Sequence, residues 1–473
     1  MMLFSLGMRV RMIRYFAISL VIATVAPIIR AQDASQTTDL PLTRVSDAST
    51  INEASSVNAL VTRYYDPLQG ESSVDLARRA LLSNGELAAA RLEIDRARAR
   101  LRQAGLRPNP ILEFEQTTGR LTGSAGERET TVGVALPVEL GGKRQRRIEL
   151  AQAELEAAEA EVADRERRLS SEVYGAYAEA LAALRELAIT EDLNDIDLQT
   201  TRFVQARVNE GETAPLELNL LRVEVDRLRS RRALVEGRLQ VALLKLKSLA
   251  GIQASEPLRL REEIRTPQLP PLPGSLEAAI DIALRTRPDL QLARLTEEAA
   301  QAGLRLARAQ SAPDLSASAS YTMNRSTIDS TPVGPIGDRD RLLTFGVSIG
   351  IPVFNTNQGA KQEAALAIVQ AQKRREFLEQ LVRSEVAAAY ARYDASNKAL
   401  STFEQGVIGR SNENIQAIRA AYQLGEFRIT DLLAEQRRLL DAQREFTDAL
   451  AERYRALADL QTAIGTRLIK NER

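Results

Sequence analysis

The chain has 473 residues, with 63 basic and 63 acidic side chains, no cysteine and no histidine. Both signs are interspersed, so no basic stripe forms for a nucleic acid. The missing thiols and imidazoles remove Cys and His nucleophiles, their acid–base chemistry, their metal sites and any disulfide.

The first segment carries Arg9, Arg11 and Arg14, then an apolar run from Tyr15 to Ile29, then Ala31. It reads as a secretory signal peptide over residues 1–31, cleaved after about Ala31. A single anchoring helix is the alternative, but the run is shorter than the ~20 residues a span needs. Residues 32–73, rich in Ser, Thr, Asp and Asn without periodicity, read as a mobile lead-in.

A first repeat is assigned to residues 74–251. Helical periodicity starts at Val74 and Leu76, breaks at Ser83-Asn84-Gly85, and resumes until Pro108-Asn109-Pro110. Two alternating segments follow as a β-hairpin, at about 111–118 and 130–137, joined by the Gly119 to Gly126 loop. Pro137 is expected to end the second strand. After Gly141-Gly142 comes a long stretch without Pro, whose apolar positions Ile148, Ala151, Leu155, Ala158, Val162, Leu169 and Val173 form a coiled-coil seam. It predicts one very long helix ending at Gly211, a left-handed cap, with Pro215 opening the return helix to Leu249.

Residues 252–274, with Pro257, Pro267, Pro270, Pro271 and Pro273, form a connector. A second repeat, 275–465, then reproduces the order: a break at Arg287-Pro288-Asp289, strands at about 315–323 and 342–351, and a Pro-free helical stretch from Gln358 to Leu424. The second hairpin loop, about Asn324 to Arg341, exceeds the first by an inserted dozen residues. Ser171-Glu172-Val173 matches Ser384-Glu385-Val386, Tyr177 matches Tyr390, Gly211-Glu212 matches Gly425-Glu426, and Gly251 matches Gly465. The chain is a tandem duplication, with a tail at 466–473.

Each strand alternates apolar residues against small or polar ones, as membrane barrel strands of about 9–11 residues do. Two small soluble sheets packed on helices would read the same way. Four strands cannot close a barrel, and open edges in lipid are costly, so several chains would have to pool strands.

These features together resemble the TolC family of outer-membrane factors over about residues 74–466. The resemblance is carried by Leu76 to Leu81, Ile282 to Leu290, the strand pairs, Leu136-Pro137-Val138-Glu139-Leu140-Gly141-Gly142-Lys143-Arg144, and the tip Tyr422 to Leu433. It implies an α plus membrane β-barrel fold: a homotrimer with a twelve-stranded barrel in the outer-membrane lipid and an α-helical tunnel in the periplasm. The connector and C-terminal segment would contribute a belt near mid-tunnel. The implied partners are a periplasmic adaptor (membrane fusion) protein and an inner-membrane pump of the RND type. The Gly-Gly-Lys-Arg turn resembles members of the heavy-metal cation branch. Relatives often carry an acylated Cys after the signal peptide; this chain has none, so the barrel alone would anchor it.

The family's gate maps onto the hairpin tips. Asp431 matches an acid position that threefold symmetry would make a carboxylate ring; a solvated helix-start Asp is the plain alternative. Its first-repeat counterpart is Glu217. Tyr422 matches a latch position, whose companion arginine is replaced by Phe427, with Arg428 one residue later. Gly211, Glu212, Gly425 and Glu426 would form adaptor-docking tips. Gly141, Gly142 and Lys143 read as the barrel-to-helix turn, because a lone Gly-Gly-Lys lacks P-loop spacing. The expectation is a passive exit duct for small molecules or metal cations, without enzyme activity, cofactor, metal site or nucleic-acid partner. A type I secretion duct and a soluble periplasmic scaffold or adaptor are the competing readings.

Overall fold

The computed structural model describes residues 61–465 apart from 123–125, 270, 329–333 and 335, all within one compact unit, Asn52–Arg473. The signal peptide (1–31), the greater part of the lead-in (32–60) and the tail (466–473) lie outside the described residues.

Local capping chemistry fixes the short helices. Helix α1 (Ser73–Ser83) starts with a capping box, in which Ser72 Oγ accepts the Asp75 N–H at 3.1 Å and the Asp75 carboxylate accepts the Ser72 N–H at 3.3 Å. Asn84 both ends α1 and caps α2 (Gly85–Ala104), accepting the Leu87 N–H at 3.0 Å. Strands β1 (Ile111–Thr118) and β2 (Arg128–Val138) lead into α3 (Lys143–Asn209), a 67-residue helix about 100 Å long. Helix α4 (Pro215–Leu249) returns alongside it, its first turn preset by Pro215. The second repeat supplies α5 (Leu276–Thr286), α6 (Pro288–Ala309), β3 (Leu315–Ile328), β4 (Ile336–Ile349), α7 (Gln358–Thr402), α8 (Ile408–Gln423) and α9 (Ile429–Ile464).

Between α7 and α8 the helix takes a π turn, Phe403–Val407, where the sequence predicts unbroken α-helix. The repeat offsets explain it. Tyr390 follows Tyr177 by 213 positions, whereas Gly425 follows Gly211 by 214. A π turn holds one residue more than an α turn. The extra residue is absorbed there, and the two hairpins keep the same register on either side.

The four strands form one antiparallel sheet in the order β1-β2-β3-β4, with β1 and β4 as its edges. Two expectations are corrected. Pro137 does not end β2: Pro137 pairs with Ser316 and Val138 with Leu315. Beyond Ala135 strand β1 has finished, so this part of β2 has a partner on one side only and tolerates a residue without an N–H. The inserted residues of the second hairpin also extend the strands rather than lengthening the loop. Register runs on through Asn324↔Asp340 and Ser326↔Asp338 to Ile328↔Ile336.

The helical core is a string of apolar clusters. The largest joins α1, α3, α4, α9 and the connector through Leu76, Tyr174, Tyr177, Leu239, Leu260 and Tyr454. The connector is tied in by polar contacts as well. Tyr177 Oη donates to the Glu71 carbonyl at 3.0 Å and accepts the Glu262 N–H at 3.2 Å. The buried Glu262 carboxylate accepts from Ser73 Oγ at 2.8 Å and Tyr454 Oη at 3.1 Å. Residues 61–72 are not the loose lead-in expected. Tyr64 is buried, its carbonyl accepts the Leu260 N–H at 2.8 Å, and the Asp66 N–H donates to the Leu260 carbonyl at 2.9 Å. Of the predicted seam on α3, Ala151, Leu155, Ala158, Val162 and Val173 are buried, with Ile148 and Leu169 half-buried.

Among the described residues, no helix is long and apolar enough to cross a membrane.

Candidate functional site

The two hairpin tips meet. A separate apolar cluster joins Val204 of α3, Leu218 and Leu221 of α4, Ile415 and Tyr422 of α8, and Ile429, Leu432 and Leu433 of α9. Each tip turns through the same left-handed cap. Gly211 has φ +79° and Gly425 φ +82°; the Glu212 N–H donates to the Arg207 carbonyl at 2.9 Å, and the Glu426 N–H to the Ala421 carbonyl at 2.9 Å. A Cβ at either glycine would meet open space, so backbone conformation, not crowding, demands glycine there.

Tyr422 and Glu217, singled out separately in the sequence, are brought together. Tyr422 is 5% exposed, and its Oη donates to Glu217 Oε2 at 3.2 Å, bridging the two tips. Burial, then the Glu217 charge and this hydrogen bond, push the phenol up to about 12, so it stays neutral and a donor. Asp431 is exposed in the first turn of α9, where its carboxylate accepts the Arg428 backbone N–H at 3.2 Å. Arg428 and Phe427 are exposed, and the Arg428 side chain does not join the Tyr422–Glu217 bridge.

Further along the helices, Asp197 is a polar residue that sequence reasoning missed. It is 2% exposed on α3, and Gln436 Nε2 of α9 donates to its Oδ1 at 2.8 Å. Burial, reinforced by Glu224, raises its carboxyl to about 6 against the Gln436 hydrogen bond and Arg419. Gln436 Oε1 is buried without a hydrogen-bond partner. Its neighbours along the same face of α3 include the buried Thr190 and Asn194 and the half-buried Thr200 and Thr201, so no apolar period marked the position as buried.

At the sheet, pleating separates charge by sign. Directly paired residues share a face, and alternate residues share it along each strand. One face carries Leu112, Val134, Ala319 and Phe345 in one row and Phe114, Val132, Tyr321 and Leu343 in the next. Every arginine of the four strands, Arg128, Arg325, Arg339 and Arg341, lies on this face at the hairpin-loop end. The opposite face holds Ser316, Ser318, Ser320, Thr322 and Thr344, and every carboxylate of the strands: Glu113, Glu115, Glu129, Asp338 and Asp340. All these charged side chains are exposed.

The strand-to-helix turn is built by close approach. Gly141 and Gly142 have φ +71° and +72°, and a Cβ at Gly141 would come within 2.6 Å of Ala312 Cβ. Lys143, nearly buried, donates to Asp314 Oδ1 at 2.7 Å, locking the turn between the repeats. Its partner is a carboxylate from the other repeat, an arrangement suited to joining sheet to helix. In the second repeat Asn357 takes the left-handed conformation, φ 59°, and its Nδ2 donates to the Ala307 carbonyl at 2.9 Å.

Among the described residues, no three Asp or Glu side chains gather in a way that would hold a metal ion.

Solved structures share this architecture. A crystal structure of CusC, described as a transmembrane channel, superposes with a TM-score of 0.70 at 25% identity over 84% of this chain and 92% of that one. The open-state MtrE outer membrane channel of Neisseria gonorrhoeae superposes at 0.68, with 20% identity over 84% and 89%, a likeness of fold alone. In sequence the chain is 25% identical over 405 residues to the cobalt-zinc-cadmium resistance protein CzcC of Cupriavidus metallidurans, covering 84% of this chain and 90% of that one. It is 27% identical over 401 residues to the cation efflux system protein CusC of Escherichia coli, covering 82% and 85%. The family model described as outer membrane efflux protein matches residues 76–252 and again 279–466, once for each copy of the duplicated sheet-and-hairpin unit. With that match across most of its length, the chain belongs to the outer membrane efflux protein family.

Proposed function

We propose that this chain is a passive exit duct selective for cations, formed when three copies pool their four-stranded sheets into a closed barrel and their helices into a tunnel. The single observation that carries the reading is the sorting of charge across the sheet. An apolar face suits lipid, and a face of Ser, Thr and five carboxylates suits a water-filled lumen that concentrates cations. The edges of β1 and β4 call for neighbours of the same kind, because an open edge in lipid leaves backbone groups unsatisfied. The names of two relatives, for cobalt-zinc-cadmium resistance and for cation efflux, agree with metal cations as cargo.

In this reading the chain performs no catalysis and holds no cofactor; an inner-membrane pump of the RND type supplies the energy. A periplasmic adaptor docks on the glycine turns at Gly211-Glu212 and Gly425-Glu426. The Tyr422–Glu217 bridge holds the tips shut, and Asp431, repeated by symmetry, lines the mouth. Adaptor binding shifts the hairpins and breaks the bridge, an iris motion between two packed states.

The test is the reversal potential of purified protein in planar bilayers under a potassium chloride gradient. Cation-preferring channels are expected, with selectivity reduced in a Glu113→Gln/Glu115→Gln/Glu129→Gln variant and reduced separately in Asp431→Ala. Anion preference, or selectivity untouched by the luminal substitutions, would refute the cation-selective lumen. Asp431→Ala channels that keep wild-type selectivity would remove Asp431 from the mouth.

A further inference from the structure

We propose that the hairpin-loop end of the apolar face is a binding site for the phosphate groups of an anionic glycolipid in the outer leaflet. The inference rests on the reading of this sheet as a membrane wall. Arg128, Arg325 and Arg339 are directly paired across β2, β3 and β4, so they form one row on one face. Arg341 lies one row nearer the apolar band, beside Met323 and Thr130.

Like charges directly opposite each other on neighbouring strands repel. With strands about 4.8 Å apart, three guanidinium groups are held within roughly 10 Å along the row. None of the four is ion-paired to a carboxylate among the described residues: of the acids next to them in the chain, Glu129, Asp338 and Asp340 project from the other face, and Glu127 lies just before the first residue of β2. Arg128 is nonetheless oriented. With the Gln116 carboxamide turned to satisfy its neighbours, its oxygen accepts from Arg128 Nε and Nη2, both at 3.0 Å. A row of guanidinium groups without a counter-charge calls for a partner with several anionic oxygens, and phosphate suits such a row.

Position selects lipid over a free anion. The row ends an apolar band of Tyr321, Val132, Phe114 and Leu343, then Ala319, Val134, Leu112 and Phe345. A ligand with phosphates and acyl chains on one molecule covers both at once. Arginine on a lipid-facing strand is least costly near the interface, and these residues lie at the strand ends remote from the helices.

The test uses the full chain in detergent micelles and native mass spectrometry, with bisphosphorylated lipid A, fully dephosphorylated lipid A and inorganic phosphate as probes. The wild type is expected to retain the bisphosphorylated form and to bind the dephosphorylated form about a hundredfold more weakly, roughly fivefold per arginine. The Arg128→Gln/Arg325→Gln/Arg339→Gln variant should lose that preference, and Arg325→Gln alone, at the centre of the row, should lose part of it. Lysine at the same three positions should keep an intermediate preference, because charge remains while the fork is lost.

Equal binding of the two lipids by the wild type, a comparison that requires no variant, overturns the proposal. So does displacement of the lipid by equimolar inorganic phosphate, which would make this a free-ion site. Wild-type protein that forms channels in bilayers yet shows no phosphate dependence overturns the lipid site alone; protein that enters no bilayer overturns the membrane wall beneath it.

Discussion

Replacing Asp197 by Asn should stabilise the tunnel helices at neutral pH and abolish a pH dependence that the wild type carries. Asp197 is nearly inaccessible, and its carboxyl is raised from 3.8 to about 6. A folded-state value above the unfolded one means that the contribution is fully present below about pH 4 and is lost as pH rises through 6. At about 1.4 kcal/mol per unit, keeping the carboxylate ionised at neutral pH costs about 3 kcal/mol. The geometry gives the reason. Gln436 Nε2 already donates to Asp197 Oδ1 at 2.8 Å, while Gln436 Oε1 has no partner. A protonated acid can return a hydrogen bond to that oxygen and close a two-bond ring; an ionised one cannot. Asparagine presents the same donor and acceptor at every pH. The assay is hydrogen exchange of the amides flanking Asp197 on α3 and Gln436 on α9, comparing Asp197→Asn with wild type from pH 4.5 to 7.5. Exchange in the variant should be slower by up to about a hundredfold at pH 7.5, an advantage that shrinks to roughly fivefold at pH 4.5. A ratio that stays constant with pH, or a variant that exchanges faster throughout, would refute the reasoning.

Tyr422→Phe removes one partly buried hydrogen bond to Glu217, about 1 kcal/mol, so the open fraction of single channels should rise about fivefold; unchanged gating would show that apolar packing alone holds the tips. Gly425→Ala forces a Cβ onto a φ of +82° with no steric obstacle nearby, so it should weaken tip amide protection by about 1–2 kcal/mol while leaving barrel insertion intact. Deleting Gln405 should convert the π turn to α-helix with helix content and assembly retained. Deleting Ala388, within regular α7, should rotate the segment from Ala389 to the π turn by about 100°, turn Leu400 out of the core and weaken assembly; circular dichroism and size-exclusion chromatography distinguish the two.

What the sequence made legible were the periodic features. Alternation in β1 to β4 and the seam from Ala151 to Val173 each required a single local rule, and the repeat supplied a second reading of every element. The extended second hairpin escaped because Asp338-Arg339-Asp340-Arg341 reads as a polar loop; its alternation is one of charge sign, which a hydrophobic period does not detect. The π turn was hidden in a one-residue change of offset. The Tyr422–Glu217 bridge escaped because the two residues lie 205 positions apart and each looked local to its own tip. Residues 61–72 look featureless because their order comes from backbone pairing with the connector and from burial of Tyr64 against distant helices, neither of which leaves a local period.

The sorting of charge by pleat also bears on how a barrel of this kind would be assembled. Side-chain direction alternates with every residue, so a strand that pairs one position out of step exchanges its two faces. For β4 that error would turn Asp338 and Asp340 toward lipid and Arg339 and Arg341 into the channel, while Phe345 and Val347 would face water. Each misplaced charge adds its own penalty, and the penalties fall on the same mistake. The sheet therefore carries an error check written in alternating sign, densest in β4, an edge strand that would have to find its partner on another chain.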